Sequence, residues 1–182
     1  MTYVALLRGI NVGGARKVDM GSLKATFERA GMEHVTTYIN SGNVIFRHPS
    51  PDAASLAATL EHAIESEFGF SVKVLLRDSD TIRATAEALP DDWANDKSAK
   101  CDVMFLWDEV AGAEILERLT IKPDIDEVMY AAGAVLWRVE RSKATRSGMM
   151  KLVGTETYQQ MTVRNCNTLR RLAELVRLAD AE

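Results

Sequence analysis

Residues 35–47, VTTYINSGNVIFR, decide how the first part of the chain folds. Two alternating segments, VTTYI (35–39) and NVIFR (43–47), predict β-strands, because alternation places every second side chain on the same face of a sheet. The residues between them, Asn40, Ser41 and Gly42, tolerate the positive φ of a tight connection. This stretch therefore predicts a β-hairpin.

The segments around the hairpin complete the order β-α-β-β-α-β. They predict a strand over 3–9, a helix over 20–30 capped by Asp19, a helix opened by Ser50 and Pro51 that runs to about residue 68, and a strand over 72–77. This order is typical of the ferredoxin-like α/β plait, an antiparallel sheet with both helices on one face.

The rest of the chain predicts the same order again, with no self-similarity at the level of residues. It follows a helix over 79–89 and a polar linker over 91–98, and it comprises strands over 101–107, 127–131, 134–140 and 160–163, helices around 109–119 and 144–153, and a final helix from Asn167 to about Ala179. We therefore predict an α+β protein of two ferredoxin-like subdomains packed together. The expected bounds are 1–78 and 99–182, with 79–98 as the connection.

Composition excludes several classes of protein. The 182 residues include 22 basic and 26 acidic side chains, a net charge of −4 that is ordinary for a globular protein. Cys101 and Cys166 lack CxxC spacing, and His34, His48 and His62 lack metal-binding spacing, so we expect no disulfide framework, no metal and no cofactor. With no apolar run of membrane-spanning length and no signal peptide, the sequence predicts a cytoplasmic protein that does not enter membranes.

Charge is unevenly distributed along the chain. Residues 78–127 hold 5 basic and 14 acidic side chains, whereas residues 138–171 hold 8 basic and 2 acidic ones. The segment 8–17 adds Arg8, Arg16 and Lys17 without an acid. This asymmetry permits an anionic ligand, although a solvated or internally paired basic face is the commoner explanation.

The segment RGINVGGARK (8–17) has the composition of an anion-binding loop. Gly13 and Gly14 would let backbone N–H groups converge on an anion, the following helix would add partial positive charge, and Arg8 offers a bidentate fork. The spacing matches neither GxxxxGK[ST] nor GxGxxG, so it does not indicate a nucleotide site by itself. The alternative is a connection that needs its glycines only for turning.

Two further polar clusters have both structural and functional interpretations. At the hairpin tip, Asn40, Ser41 and Asn43 either satisfy their own backbone or face a ligand. In TVRNCNT (162–168), Asn167 or Asn165 is expected to cap the last helix, which leaves Arg164 and the other asparagine unexplained. Cys166 has no neighbouring base in the sequence, which favours a buried thiol over a nucleophile.

LLRGINVGG (6–14), YINSGNVIF (38–46) and TVRNCNT (162–168) together resemble a bacterial family known as domain of unknown function sixteen ninety-seven. The resemblance implies a soluble bacterial protein of two α/β-plait subdomains and no established activity. Family members commonly have an aromatic residue where Cys166 stands. The family's characteristic polar positions correspond to Arg8, Asn11, Gly13, Gly14, Lys17, Tyr38, Ser41, Gly42, Asn43, Arg164, Asn165, Asn167 and Thr168.

The favoured hypothesis is a binding module for a small anionic ligand or nucleotide. Its candidate ligand-binding residues are Arg8, Asn11, Gly13, Gly14, Lys17, Ser41, Asn43, Arg164 and Asn165. We expect the antiparallel topology to place the end of the first strand and the start of the third at opposite ends of the sheet, which argues against contact between Arg8 and Asn43.

Two alternatives belong to other functional classes. Single-stranded nucleic acid could stack on Tyr3, which is placed like the aromatic residue of the shorter RNA-recognition signature, although the longer signature is absent. An enzyme of unknown reaction could use Arg8, Lys17, Ser41 or Tyr38, but no paired general acid and base accompanies them. The sequence does not indicate an oligomeric state.

Overall fold

A computed structural model describes residues 1–181 of the chain. The chain divides into two compact units, of which the first comprises Met1–Ile82 with the end of the chain from Glu174, and the second comprises Arg83–Ala173. The subdomain bounds expected from the sequence, 1–78 and 99–182, stay a prediction about which segments fold together.

The first unit has the predicted order of strands and helices. Its strands form one antiparallel sheet in the order β2-β3-β1-β4, which is the strand order of the α/β plait. The elements are β1 (Thr2–Leu7), α1 (Met20–Arg29), β2 (Glu33–Tyr38), β3 (Asn43–Arg47), α2 (Ala53–Phe68) and β4 (Val74–Asp78), followed by α3 (Ser79–Glu87).

Local signals set the helix ends of this unit. Asp19 caps α1 by accepting a hydrogen bond of 2.8 Å from the backbone N–H of Ser22, as predicted. α2 begins after Asp52, whose carboxylate accepts from Ser55, so the expectation that Ser50 and Pro51 open this helix is wrong by two residues. Serine and aspartate are about equally good caps, but here it is the Asp52 carboxylate that accepts from a first-turn N–H, while Ser50 Oγ accepts from Asp52 N before the helix.

The core of the first unit lies between the sheet and the helices. Tyr3 stacks on Phe46 with ring centroids 5.7 Å apart, and Phe27 from α1 meets Phe46 edge-on at 5.8 Å. The other face of the sheet is buried as well, since Val4, Leu6 and the remaining residues of β1 are all at most 5% exposed. Both faces of the central strand are therefore withdrawn from water.

The second unit has a sheet of the same kind, but 3₁₀ segments stand where two of its helices were predicted. Its antiparallel sheet has the order β6-β7-β5-β8. The elements are β5 (Ala99–Leu106), 3₁₀ segments at Asp108–Val110 and Ala113–Arg118, β6 (Asp126–Ala131), β7 (Ala134–Glu140), 3₁₀ segments at Arg141–Arg146 and Gly148–Lys151, α4 (Glu156–Gln159), β8 (Met161–Asn165) and α5 (Cys166–Ala181), whose residues from Glu174 group with the first unit. The helices predicted around 109–119 and 144–153 are thus broken, at Gly112 and at Ser147. The fold class is confirmed.

A buried carboxylate holds the 3₁₀ region of the second unit together. Asp126 accepts hydrogen bonds from Trp137 Nε1, Ser147 Oγ and the backbone N–H groups of Lys122 and Gly148. Burial alone would raise the pKa of Asp126, but these four donors together lower it. Gly148 must be glycine here because a Cβ would lie 1.6 Å from a backbone carbonyl oxygen.

The two units share a sequence motif at the end of their last strands, contrary to the expectation of no residue-level similarity. RDSDT (77–81) and RNCNT (164–168) have the pattern Arg-Asx-x-Asx-Thr. In both copies the arginine donates to the carbonyl of the preceding residue, at 2.9 and 2.8 Å, and the Asx side chain accepts from the threonine N–H three residues on, at 2.7 and 2.9 Å. The repeat was missed because only the structure aligns the two copies.

Candidate functional site

The end of β1 and the start of β3 lie side by side and bring the first two predicted motifs together in the first unit. Leu6 pairs with Asn43 in the β1–β3 ladder, and the Leu7 N–H donates to Gly42 O at 2.9 Å. The expectation that these strand ends lie apart is therefore wrong, because antiparallel neighbours place the end of one strand beside the start of the other. We call the surface formed by residues 8–18, 39–42 and 71–73 the loop edge.

The loop over 8–18 is a fixed structure with an unusual backbone. Gly9, Gly13 and Gly14 have positive φ, and so do Asn11 (55°) and Arg16 (48°). The Asn11 side chain crosslinks the loop: its Oδ1 accepts from Val18 N at 2.8 Å, and its Nδ2 donates to Val18 O at 3.0 Å. Asn11 N also donates to Arg16 O at 3.1 Å. Asn11 therefore shapes the loop.

Two asparagines of the predicted ligand-binding set hold the hairpin tip by hydrogen bonds. Asn11 Nδ2 donates to Asn40 O at 2.8 Å, and Asn43 Nδ2 donates to Tyr38 O at 3.0 Å. These two carbonyls flank Ile39, which is 46% exposed and has a φ of 49°. Asn43 is fully buried and also donates to Ser41 Oγ at 3.0 Å, so its amide is used inside the protein.

The larger depression at the loop edge, about 600 Å³ in volume, is lined by three cationic side chains. Arg8 and Arg16 come from the loop and Lys73 from the residue before β4, which is tied to the loop by the bond from Arg8 N to Lys73 O at 2.9 Å. The lining also includes the imidazole of His62 and the carboxylates of Glu61 and Glu65.

A second depression, of about 550 Å³, lies on the other part of the loop. It is lined by the predicted residues Asn11, Gly14 and Lys17 together with Asn40 of the hairpin tip and Asp19 at the start of α1. The Asp19 carboxylate occupies the N-terminus of α1, where it accepts hydrogen bonds from Ser22. These hydrogen bonds lower the pKa of Asp19. The loop residues predicted from the sequence are thus divided between two neighbouring depressions.

The third predicted motif belongs to the second unit and its polar residues are structural. Arg164 is only 6% exposed, donates to Thr162 Oγ1 and Val163 O, and burial lowers the pKa of its guanidinium to about 10. Asn165 is the cap of α5, since its Oδ1 accepts from Thr168 N at 2.9 Å. Asn167 donates to Asn95 O and accepts from Asn95 N, so it holds the preceding linker and does not cap the helix.

The structure also constrains the nucleic-acid alternative. Tyr3 is 2% exposed, and its hydroxyl donates to Ser50 O at 2.8 Å, so its ring cannot stack on a base in this fold. Much of the basic stretch 138–171 has partners within the second unit. Arg138 pairs with Glu127, Lys143 with Glu140, and Arg141 and Arg170 donate to backbone carbonyls.

Comparison with known proteins gives the family. A family model described as "Protein of unknown function (DUF1697)" matches residues 1–137. The chain belongs to this family. The structure is similar to that of the conserved bacterial protein SP0830 from Streptococcus pneumoniae, with a TM-score of 0.80 and 28% sequence identity over 95% of this chain and 97% of that one. No curated protein matches the chain.

Two of the three motifs lie within the range matched by the DUF1697 model, and these two build the loop edge. Sequence reasoning about them missed Lys73 and His62, which line the larger depression. Lys73 could have been found from the predicted strand order, because β4 starts where its antiparallel neighbour β1 ends. Nothing in the sequence indicated that His62 lines a site, because an exposed histidine on an amphipathic helix is common.

Within residues 1–181, no helix is long and apolar enough to cross a membrane. In the same part of the chain, no group of three or more histidine, cysteine, aspartate or glutamate side chains is arranged to hold a metal ion.

Proposed function

We propose that this DUF1697 member is a binding module for a small anionic ligand, nucleotides included, held at the loop edge of its first unit. The observation that supports it is the convergence of Arg8, Arg16 and Lys73 on one depression of about 600 Å³. That volume lies within the range of about 300–1,000 Å³ found for small-molecule sites. Two guanidinium groups offer the planar forks that match phosphate and carboxylate groups.

The carboxylates that line the depression restrict which kinds of anion it can bind. Glu61 Oε1 accepts from Val74 N at 2.9 Å, and its Oε2 lies 3.8 Å from Lys73 Nζ, so this carboxylate is held in place. Fixed carboxylates repel a bare anion but accept hydrogen bonds from hydroxyl groups. A phosphorylated or carboxylated ligand that also carries hydroxyl groups, such as a sugar phosphate or a nucleoside phosphate, complements this mixed lining.

Hydrogen bonds within the protein hold the loop edge together. The side chain of Asn11 joins Val18 and Asn40, which fixes the loop and the hairpin tip relative to each other. A site whose backbone is already ordered does not lose that conformational entropy on binding, which favours affinity.

Isothermal titration calorimetry with sugar phosphates, nucleotides and dicarboxylates tests this function. We expect at least one of these classes to bind, and Arg8→Ala and Arg16→Ala each to weaken binding about tenfold or more, as for loss of a charge-assisted hydrogen bond. Arg47→Ala is the matched control, because Arg47 pairs with Thr2 at the opposite end of the same sheet and its loss changes the net charge equally. Equal weakening by all three variants, or no binding in any class, would contradict the proposal.

A further inference from the structure

Two thiols face each other in the second unit. The last pair of the β5–β8 ladder is Asp102 with Asn165, so Cys101 and Cys166 occupy the next position on each side. Both are fully buried, and neither is in a disulfide. Opposed residues of antiparallel strands have Cα atoms about 4.5–5.5 Å apart, and disulfides span Cα separations of about 4.4–6.8 Å. The register thus places the two cysteines at adjoining positions, as a disulfide between them requires.

A helix N-terminus and a cationic side chain lie near the Cys166 thiol. Cys166 is the first residue of α5, a helix of 16 residues whose N-terminus carries partial positive charge. Arg170, one turn further on, donates to the carbonyls of Trp93 and Pro90. The Cys166 thiol donates to the same Trp93 oxygen at 3.6 Å and to Asn167 Oδ1 at 3.5 Å, and these two acceptors favour its protonated form. Cationic groups and helix N-termini act in the opposite direction and favour the thiolate.

The pKa values of the two thiols are shifted in opposite directions. The hydrogen bond with Cys101, aided by Arg170, outweighs desolvation and lowers the pKa of Cys166 to about 7. The same hydrogen bond, together with burial, raises the pKa of Cys101. Both directions favour Cys166 as the thiol that gives up its proton first.

The first unit provides an internal comparison. Tyr3 pairs with Asp78 there as Asp102 pairs with Asn165 in the second unit, so Thr2 and Ser79 stand where the second unit has Cys101 and Cys166. The fold thus accepts two small hydroxyl side chains at this place. Sulfur at both positions of the second unit is not required by packing.

We propose that Cys101 and Cys166 are a redox-active dithiol that a hydroperoxide converts into an intramolecular disulfide. The Cys166 thiolate attacks one peroxide oxygen, the O–O bond breaks, and the departing oxide takes up a proton to leave as water or an alcohol. The resulting Cys166 sulfenic acid is attacked by Cys101, the S–O bond breaks, and the hydroxide released leaves as water with the Cys101 proton. Two electrons pass from the thiols to the peroxide.

Peptide mapping by mass spectrometry under native conditions tests the proposal. The reduced protein is treated with hydrogen peroxide, and we expect a Cys101–Cys166 linked peptide in monomeric protein. Cys101→Ser is expected to stop at a Cys166 sulfenic acid, which dimedone traps. Cys166→Ser, which copies Ser79 of the first unit, is expected to form neither product. Circular dichroism and the Tm of each variant confirm that it is folded.

Two further results distinguish an active pair from inert core thiols. Arg170→Met is expected to raise the pKa of the Cys166 thiol and to slow the reaction at neutral pH, because a smaller fraction of the thiol is then ionised. The ultraviolet absorbance of the thiolate, followed against pH, measures that pKa directly. Thiols that stay reduced in the folded protein at peroxide concentrations that oxidise both after unfolding would overturn the proposal, as would disulfides formed only between molecules.

Discussion

At the scale of single residues, Ile39 adopts a backbone conformation that branched side chains avoid. Its φ of 49° lies in the left-handed region, and 46% of the residue is exposed to solvent. The carbonyls on either side of it are held by Asn43 and Asn11, so hydrogen bonds from two other segments impose the strain. Strain of this kind costs on the order of 1–3 kcal/mol and is retained where the surrounding structure compels it.

Ile39→Gly is expected to increase the free energy of unfolding by about 1 kcal/mol, because glycine enters the left-handed region without strain. Urea denaturation measures the change. Val153→Gly is the control, since Val153 is a β-branched residue that is 68% exposed and has no positive φ, and there we expect no gain. A loss of stability in Ile39→Gly would show that the side chain contributes more by packing than the backbone costs.

Asp126 makes the stability of the second unit depend on pH. Its pKa in the folded state is below the ordinary value of 3.8, so its contribution to stability is present above that pH and is lost as the pH falls through the folded-state pKa. Asp126→Asn is expected to lower the free energy of unfolding at pH 7 by about 3 kcal/mol, because an amide turns N–H groups toward two of the four donors.

Tm measured from pH 7 to pH 2 tests this expectation. The difference in Tm between the wild type and Asp126→Asn should shrink below about pH 4. Asp102→Asn is the opposite control: burial raises the pKa of Asp102, so its ionised form opposes folding at neutral pH and its replacement should not reduce stability there. A constant difference between wild type and Asp126→Asn would contradict the assignment.

At the scale of elements, the sequence predicts what local chemistry controls. The eight strands follow from alternation or from short apolar runs, the start of α1 follows from Asp19, and the end of α2 follows from Gly69. The failures have a local and a long-range cause. Gly112 and the Ser147–Gly148 turn interrupt apparently helical segments, and Gly148 is fixed by a carbonyl from a segment far along the chain, which periodicity cannot show.

The motifs could be found in the sequence, but neither their meeting nor the roles of their residues could be predicted from it. The motifs that contain Arg8 and Asn43 meet, contrary to expectation, because β1 ends beside the start of β3. Asparagine, however, serves equally well as a ligand contact and as a backbone clamp, and only the partners of Asn11 and Asn43 reveal the clamp. Lys73 and His62 complete the larger depression from elements whose own sequences show no motif.

At the scale of the whole molecule, net charge is a poor guide to the proposed ligand. The chain carries −4, yet three cations meet at one depression of the first unit. Much of the positive charge near the end of the chain is engaged within the second unit, through pairs such as Arg138 with Glu127. A local cluster of cations at close range acts on a small ligand more strongly than a distant net charge, since salt screens beyond about 8–10 Å.

The C-terminal residues are assigned to different units by the sequence prediction and by the structure. The sequence assigns them to a subdomain over 99–182, whereas in the structure the residues from Glu174 group with Met1–Ile82. Val176 among them is fully buried. Ending the chain at Ala173 is therefore expected to expose apolar surface that stabilises the first unit, and to lower Tm by several degrees.

Hydrogen exchange followed by mass spectrometry shows which unit loses protection in the truncated chain. We expect faster exchange in β1 to β4 and little change in β5 to β7, because the removed residues group with the first unit. Full-length Val176→Ala should give the same pattern in weaker form. Leu178→Ala is the control, since Leu178 is 51% exposed. Faster exchange confined to the second unit would instead support the division at 99–182.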